Sequence, residues 1–484
     1  MTISGALTNA MSGLRAASRG AEVVSSNISN ALTPGYARRV LALSTQATGG
    51  ASGVQIDGVV RIMDAALASD RRMAEADQTH ADSRVQFHTR FETLIGTPDD
   101  PASLSARIAG FENSLISAAS RPDAPERLVA SVGAARDLAT GLRDASAGVQ
   151  AARGDADRNI ARMVDELNIA LEHVVELNTQ ITALQVQGGN TATLQDQRQQ
   201  VVDRIATLAP VREVPRDNGQ IALYSTGGAV LIDGTAAVIG FEPVNVVTPH
   251  MSLADGTLSG LTVNGQSVRT DSDRGALRGG ALAGQFAIRD EHGVAAQAQL
   301  DTLARDLIER FEDPAVDPTL GAGDAGLFTD GGAPLDPLDT VGLAQRLSVN
   351  SAVDPQQGGE AWRIRDGMNA VVQGNAGDAT LLQAFSQALN DPRPVTGGGI
   401  GGQSFGAMSL AATLASNIGA DRTNAEQILS FATSRLTELT ERQLADGVDS
   451  DAEIQRLMLI ERAYAANARV IETVDEMMQT LLRM

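Results

Sequence analysis

Gly402-Gln403-Ser404-Phe405-Gly406 has the spacing G-x-S-x-G, in which a hydrolase serine is activated by a histidine that follows it in the chain. The last histidine is His292, so that order cannot be built around Ser404. Overlapping it, Gly397, Gly399 and Gly402 satisfy G-x-G-x-x-G, but no β-branched strand leads into them, and a dinucleotide site needs one. A flexible linker between helices accounts for the same glycines. The histidines, His80, His88, His173, His250 and His292, show neither H-x-x-x-H nor H-E-x-x-H spacing, so nothing sets two imidazoles on one helical face. They are expected at the surface or in the helical hairpin. Asp446, Asp449, Asp451 and Glu453 could gather calcium, yet they lack the ligand register and central glycine of a calcium loop. Ser450 with Glu453 reads instead as an S-x-x-E capping box that starts a helix.

Two absences narrow the chemistry further. The chain has no cysteine, which removes disulfides, thiolate metal sites and cysteine nucleophiles. It has no lysine either: all 38 basic residues are arginine, so phosphate-loop lysines and Schiff bases are excluded. No catalytic, cofactor-binding or metal-binding residue is nominated, and a hydrolase built on Ser404 is the remote alternative to a chain that is not an enzyme. A net charge of −21 opposes binding to nucleic acid or anionic membranes. No apolar run reaches the ~18 residues of a membrane span, and the N-terminus lacks the order of a cleaved signal peptide. By the usual routes such a chain stays in the cytosol.

What must position function, then, is the elements themselves. Ile3, Leu7, Ala10, Leu14, Ala17, Ala21, Val24, Ile28 and Ala31 recur at alternating spacings of four and three, a heptad seam. Leu457, Ile460, Tyr464, Asn467, Ile471, Val474, Met478 and Leu481 do the same at the other end. Chain ends normally fray, so apolar seams there imply docking against each other, against neighbouring subunits, or both. Asn467, the polar member, is read as a register device. A third seam, Ile160 to Leu184, runs into Gly188-Gly189, and a helix from about Thr193 ends before Pro210, giving a long helical hairpin. Residues 211 to 270 alternate short β-prone runs with Asn-Gly, Gly-Gly and Asp-Gly turns. Helix is expected again over 277–312, 368–389 and from 407 onward.

The predicted fold is mainly α with a β insertion: long terminal helices paired in a coiled-coil-like core, a helical-bundle middle domain and a small antiparallel β domain. The expected units are 1–60 with 447–484 as the terminal core with its hairpin, and 61–210, 276–312 and 366–446 as the bundle. The remaining stretches, 211–275 and 313–365, form an outer, partly β insertion.

"SNISNALTPGYARR", residues 26–39, closes the first seam. Thr33-Pro34-Gly35-Tyr36 places Pro and Gly at the central positions of a type II turn. Asn27 and Asn30 sit where their amides can meet backbone groups that the helix leaves unpaired, and Tyr36 would cover the corner. Beyond it, "ARRVLALSTQ" and "GVQIDGVVRI" read as a hairpin folding back.

Ser26-Asn27-Ile28-Ser29-Asn30-Ala31-Leu32-Thr33-Pro34-Gly35-Tyr36 resembles the motif S-N-x-x-N-x-x-T-x-G-Y of the axial proteins of the bacterial flagellum, the rod, hook and hook-associated proteins. "IERAYAANARVIETVDEMMQTLL", residues 460–482, resembles their carboxy-terminal helix. Leu32 and Arg39 depart from the usual Asn and Gln. The middle, "LNTQITALQ" through "LQDQRQQVVDRIATLAPV" and "GGALAGQFAIRDEHGVAAQAQLDTLARDLIERF", is similar to the hook-associated members, with hook or rod protein as the alternative. The resemblance implies a non-catalytic subunit of the hook–filament junction that self-assembles into a ring-like or helical homo-oligomer through its terminal helices. Its partners would be hook protein, a second junction protein with the filament, and a cytosolic export chaperone on the C-terminal helix. Export would use the flagellar type III apparatus without signal cleavage, ending outside the cell. The assembly interface is expected to use Ile3, Leu7, Leu14, Val24, Asn27, Ile28, Asn30, Thr33, Pro34, Gly35 and Tyr36 with Leu457, Ile460, Tyr464, Asn467, Ile471, Val474, Met478 and Leu481.

Overall fold

The computed structural model describes residues 3–33, 35–48, 51–97, 99–271, 274–400 and 402–483. Helix α1 (Ile3–Ser29) leads into an antiparallel hairpin of β1 (Arg39–Thr48) and β2 (Ala51–Arg61), followed by α2 (Ala65–Ile95), α3 (Leu104–Ser120), α4 (Pro125–Val186) and α5 (Ala192–Leu208). Strands β3 (Val211–Pro215), β4 (Ile221–Ser225), β5 (Val230–Asp233) and β6 (Thr235–Ala236) form one sheet, and β7 (Ile239–Gly240), β8 (Leu261–Val263) and β9 (Gln266–Val268) a second. Helix α6 (Gly280–Ala287) passes through a π turn at Ile288–His292 into α7 (Gly293–Phe311). Then come β10 (Phe328–Asp330), α8 (Leu343–Arg346), β11 (Leu347–Val349), α9 (Arg363–Asp366), α10 (Thr380–Asn390), β12 (Arg393–Pro394), β13 (Ser404–Phe405), α11 (Ala407–Ala445) and α12 (Ser450–Arg483). The fold is mainly helical with small antiparallel sheets, and no helix among the described residues is long and apolar enough to cross a membrane.

Helix α4 organises the middle of the chain. Pro125 opens it at a position where a missing N–H costs nothing. Gly188, at φ +70°, closes it with a left-handed cap in which the Gly189 N–H donates to Leu184 O at 2.9 Å. Its 62 residues exceed what one core can cover, so two cores share it. The first gathers α4 up to Ala156 with α2, α3, α7, α10 and the start of α11, around Phe111, Phe311, Phe328 and Phe385, whose neighbouring rings lie 5.1 to 5.9 Å apart. The second joins Ile160 to Leu177 with α5, the β3–β6 and β7–β9 sheets, and Phe286. Between them, the buried Arg289 of the π turn donates to Asp157 Oδ1 at 2.7 Å, and Arg153 donates to Arg289 O at 2.8 Å.

This division corrects several expectations. Residues 211–275 and 313–365 feed different cores, Leu261 packing in the second and Leu327, Phe328 and Leu347 in the first, while the two stretches touch where Gly342 approaches Pro249. The stretch 394–406 is not a linker. Arg393 and Pro394 pair with Phe405 and Ser404, and Val395 and Ile400 are buried in the first core. Gly397, Gly398 and Gly399 serve this tight ribbon with φ of +113°, +59° and +76°, which side-chain-bearing residues seldom adopt. Helix α10 starts at Thr380 rather than 368, since Met368 belongs to a loop anchored by its N–H donating to Asp317 Oδ2. His88 is not at the surface; α2 turns it against α7, with the His292 ring 5.3 Å away.

Helices α2 and α11 run side by side in opposite directions, fixed by Arg422–Glu92 at 2.8 Å and Arg435–Asp77 at 3.6 Å. This pair leads out of the first core to the place where α1, the β1–β2 hairpin and α12 come together.

Candidate assembly interface

Helices α1 and α12 pack antiparallel, and the contacts repeat every seven residues. Gly13 faces Asn467, Gly20 faces Ile460, and Asn27 meets Glu453. A Cβ at Gly13 would lie 2.6 Å from Asn467 Nδ2, and one at Gly20 3.1 Å from Ile460 Cδ1, so the glycines let the two axes approach closely. Ala10, Ala17 and Val24 are buried beside them, and the other face of α1 carries the hairpin: Val54 N–H donates to Ser12 Oγ at 3.1 Å. Asn467 donates to its own helix, to Ala463 O at 2.9 Å, and its side chain lies opposite Gly13.

Where the two helices meet the turn, Asn27 is fully buried and uses its whole amide. Nδ2 donates to Arg39 O at 2.8 Å and to Glu453 Oε2 at 3.1 Å; Oδ1 accepts from Tyr36 Oη at 2.9 Å and from the Arg39 N–H at 3.0 Å. One side chain therefore ties together the end of α1, the start of β1 and the first turn of α12. Glu453, 1% exposed, also accepts from Arg38 Nε at 2.9 Å, which compensates its buried charge. The capping box expected from Ser450 and Glu453 does not form, because this carboxylate is spent on α1. Asp449 Oδ1 caps α12 in its place, accepting from the Asp451 and Ala452 N–H groups at 2.9 and 3.1 Å.

Tyr36 N–H donates to Thr33 O at 3.1 Å, and Gly35 takes φ +79°, the positive φ that a type II turn needs at its third position. Pro34 lies outside the described residues. Asn30 donates to Ser26 O at 2.9 Å and accepts from Thr33 Oγ1 at 3.3 Å, so it finishes the helix locally. Of the remaining seam residues, Val24 and Val474 are buried, while Ile3, Leu7, Leu14, Ile28, Leu457, Ile460 and Ile471 are half-buried. Tyr464, Met478 and Leu481 remain exposed, at 49%, 48% and 59%. Leu32 is almost wholly exposed. Sequence reasoning named Asn27 but missed Gly13 and Gly20, although the three repeat every seven residues one position before Leu14, Ala21 and Ile28. It also missed Arg38, Arg61 and Asp196, for which no local pattern exists.

Three family models match in chain order: Flagella basal body rod protein at residues 7–36, Flagellar hook-associated protein FlgK helical domain at 89–315, and Flagellar basal body rod FlgEFG protein C-terminal at 445–484. Flagellar hook-associated protein 1 of Escherichia coli strain K12 is 23% identical over 551 residues, covering 99% of this chain and all of that one. Its namesake from Bacillus subtilis strain 168 is 21% identical over 98% of this chain and 97% of its own, and that of Salmonella typhimurium is 27% identical over 60% and 57%. The solved flagellar hook junction protein FlgK from Burkholderia pseudomallei aligns at 21% identity with a TM-score of 0.46, over 55% of this chain and 47% of that one. The chain is thus similar from end to end to proteins named flagellar hook-associated protein 1, and three models of flagellar axial proteins match it in order along its length.

Proposed function

We propose that the chain is a structural, non-catalytic subunit of the flagellum that joins hook to filament, and that copies assemble into a ring-like or helical zone through α1 and α12. One observation carries the reading. Helix α12 spends one stripe on α1, yet apolar side chains round the rest of its circumference stay uncovered: Leu459 is 62% exposed, and Ile454, Met458, Val470 and Met477 are exposed as well. Each such side chain gains ~1.5 to 3 kcal/mol when buried, and a helix that is apolar all round is one that ends up surrounded. At a net charge of −21, copies repel one another at long range, so apolar contact must supply the attraction.

Hook protein on one side, and a second junction protein with the filament on the other, are the partners this role calls for. Export through the type III apparatus, without signal cleavage, is part of the same reading. A cytosolic chaperone would cover α12 beforehand, because an exposed apolar strip is an aggregation hazard.

Leu459→Asp tests the proposal at an outward-facing position, and Ile471→Asp at one turned toward α1. Both variants should keep the two middle cores folded, and cells carrying either should shed filament subunits into the medium. Normal filaments on Leu459→Asp cells would overturn the reading.

A further inference from the structure

Arg39 and Arg61 are direct cross-strand partners at the open end of the β1–β2 hairpin. Like charges opposite one another on a two-stranded ribbon destabilise it. Asp196, from α5, lies between them: Oδ2 accepts from Arg39 Nη2 at 2.7 Å and Oδ1 from Arg61 Nε at 2.6 Å, all three side chains being largely buried. One turn further along α5, Gln200 packs against the turn, where a Cβ on Gly35 would lie 2.8 Å from its Cγ. The Arg39 guanidinium also sits 4.7 Å from the centre of the Tyr36 ring, and Tyr36 in turn donates to Asn27. The hairpin base and the turn thus share a socket on one face of α5.

The chain itself crosses between the terminal core and the helical body twice, between β2 and α2 and between α11 and α12. Two tethers define an axis and leave rotation about it free. A third attachment away from that axis removes the rotation. We infer that Asp196 is a positioning residue, an ionic latch that sets the direction of the α1–α12 rod relative to the helical body. It thereby sets which way the apolar side of α12 points. The inference gives the proposed assembly its geometry and rests on that reading only for its use; the latch itself is a property of the single chain.

Because the chain has no cysteine, two can be introduced for spin labels, at exposed Thr45 on β1 and exposed Glu172 on α4. With Asp196 intact, the full-length labelled chain should give one narrow distance distribution by pulsed electron resonance. Asp196→Asn should at least double its width, whereas Asp196→Glu, whose carboxylate still reaches both guanidiniums, should keep it narrow. Arg39→Gln with Arg61→Gln should broaden it as much as Asp196→Asn does, and combining all three should add nothing further. If Asp196→Asn impairs α5, the double arginine variant tests the same contact with α5 unaltered. An unchanged width in that double variant, or additive broadening, would overturn the latch. A chain with a narrow distribution that does not assemble would count against the proposed function alone.

Discussion

Asn27 is the residue on which the terminal core turns, because its amide both donates and accepts where a carboxylate could only accept. Asn27→Asp would remove the donor that now lies 3.1 Å from Glu453 Oε2 and leave two carboxylates facing each other, both buried. Such a change should cost about 3 to 5 kcal/mol in the α1–α12 pairing. Asn27→Ala, which leaves Arg38 on Glu453, should cost only about 1 to 3 kcal/mol. Hydrogen exchange along α12 and tryptic cleavage at Arg456 and Arg462 would read the difference; equal protection in the two variants would refute the role of the amide donor. Asn27 and Tyr36 were legible because helix end and turn lie close in the chain. Glu453 was misread because S-x-x-E is a local signal, and the contact with a residue 426 positions away outcompetes it. Asp196 had no signal at all, since its partners lie 157 and 135 residues upstream.

Among the elements, the junction of α2, α7 and α11 carries His88 and His292, both withdrawn from solvent. Burial, with Arg84 nearby, lowers the pKa of His88 to about 4. Burial first, then His88 and Arg84, lowers that of His292 to about 4 as well, against a smaller opposing pull from Glu291; His80 adds to the lowering and Asp421 lines the same space. An unfolded histidine titrates near 6.5. Stability is therefore undiminished above that value and falls as the pH drops through 6.5 toward 4, because the unfolded chain takes up the protons first. For His88 the loss should reach about 2 kcal/mol once solvent screening is allowed for. His88→Phe should remove that share of the acid sensitivity, seen as a smaller difference in melting temperature between pH 7 and pH 5; an unchanged difference would exclude His88 as its source. The seams of α1 and α4 showed plainly in the sequence because a period of three and four survives whatever the helix packs on. The length of α4 and the ribbon at 394–406 did not, since Ala and Gly carry little periodic signal and the ribbon's pairing depends on where α10 ends.

For the molecule as a whole, the two cores are built apart from the terminal helices. Among the described residues, neither core draws one from before Phe87 or after Ile418, although α1 and α12 are among the longer helices. Removing residues 1–61 and 446–484 would return Asp196 and Gln200 to solvent, where a polar pair needs no partner, and would uncover little apolar surface on the body. Such a shortened chain should melt within about 5 °C of the intact one, since a domain of this size loses only ~2 to 4 °C per kcal/mol. It should also sediment as a monomer under conditions in which the intact chain self-associates, because the apolar faces of α12 leave with it. A fall in melting temperature well beyond that margin would mean that the terminal rod is part of the body's folding unit. Self-association of the shortened chain would move the subunit contact away from α1 and α12, with the α2–α11 pair, where Phe431 stands 78% exposed, the next surface to test.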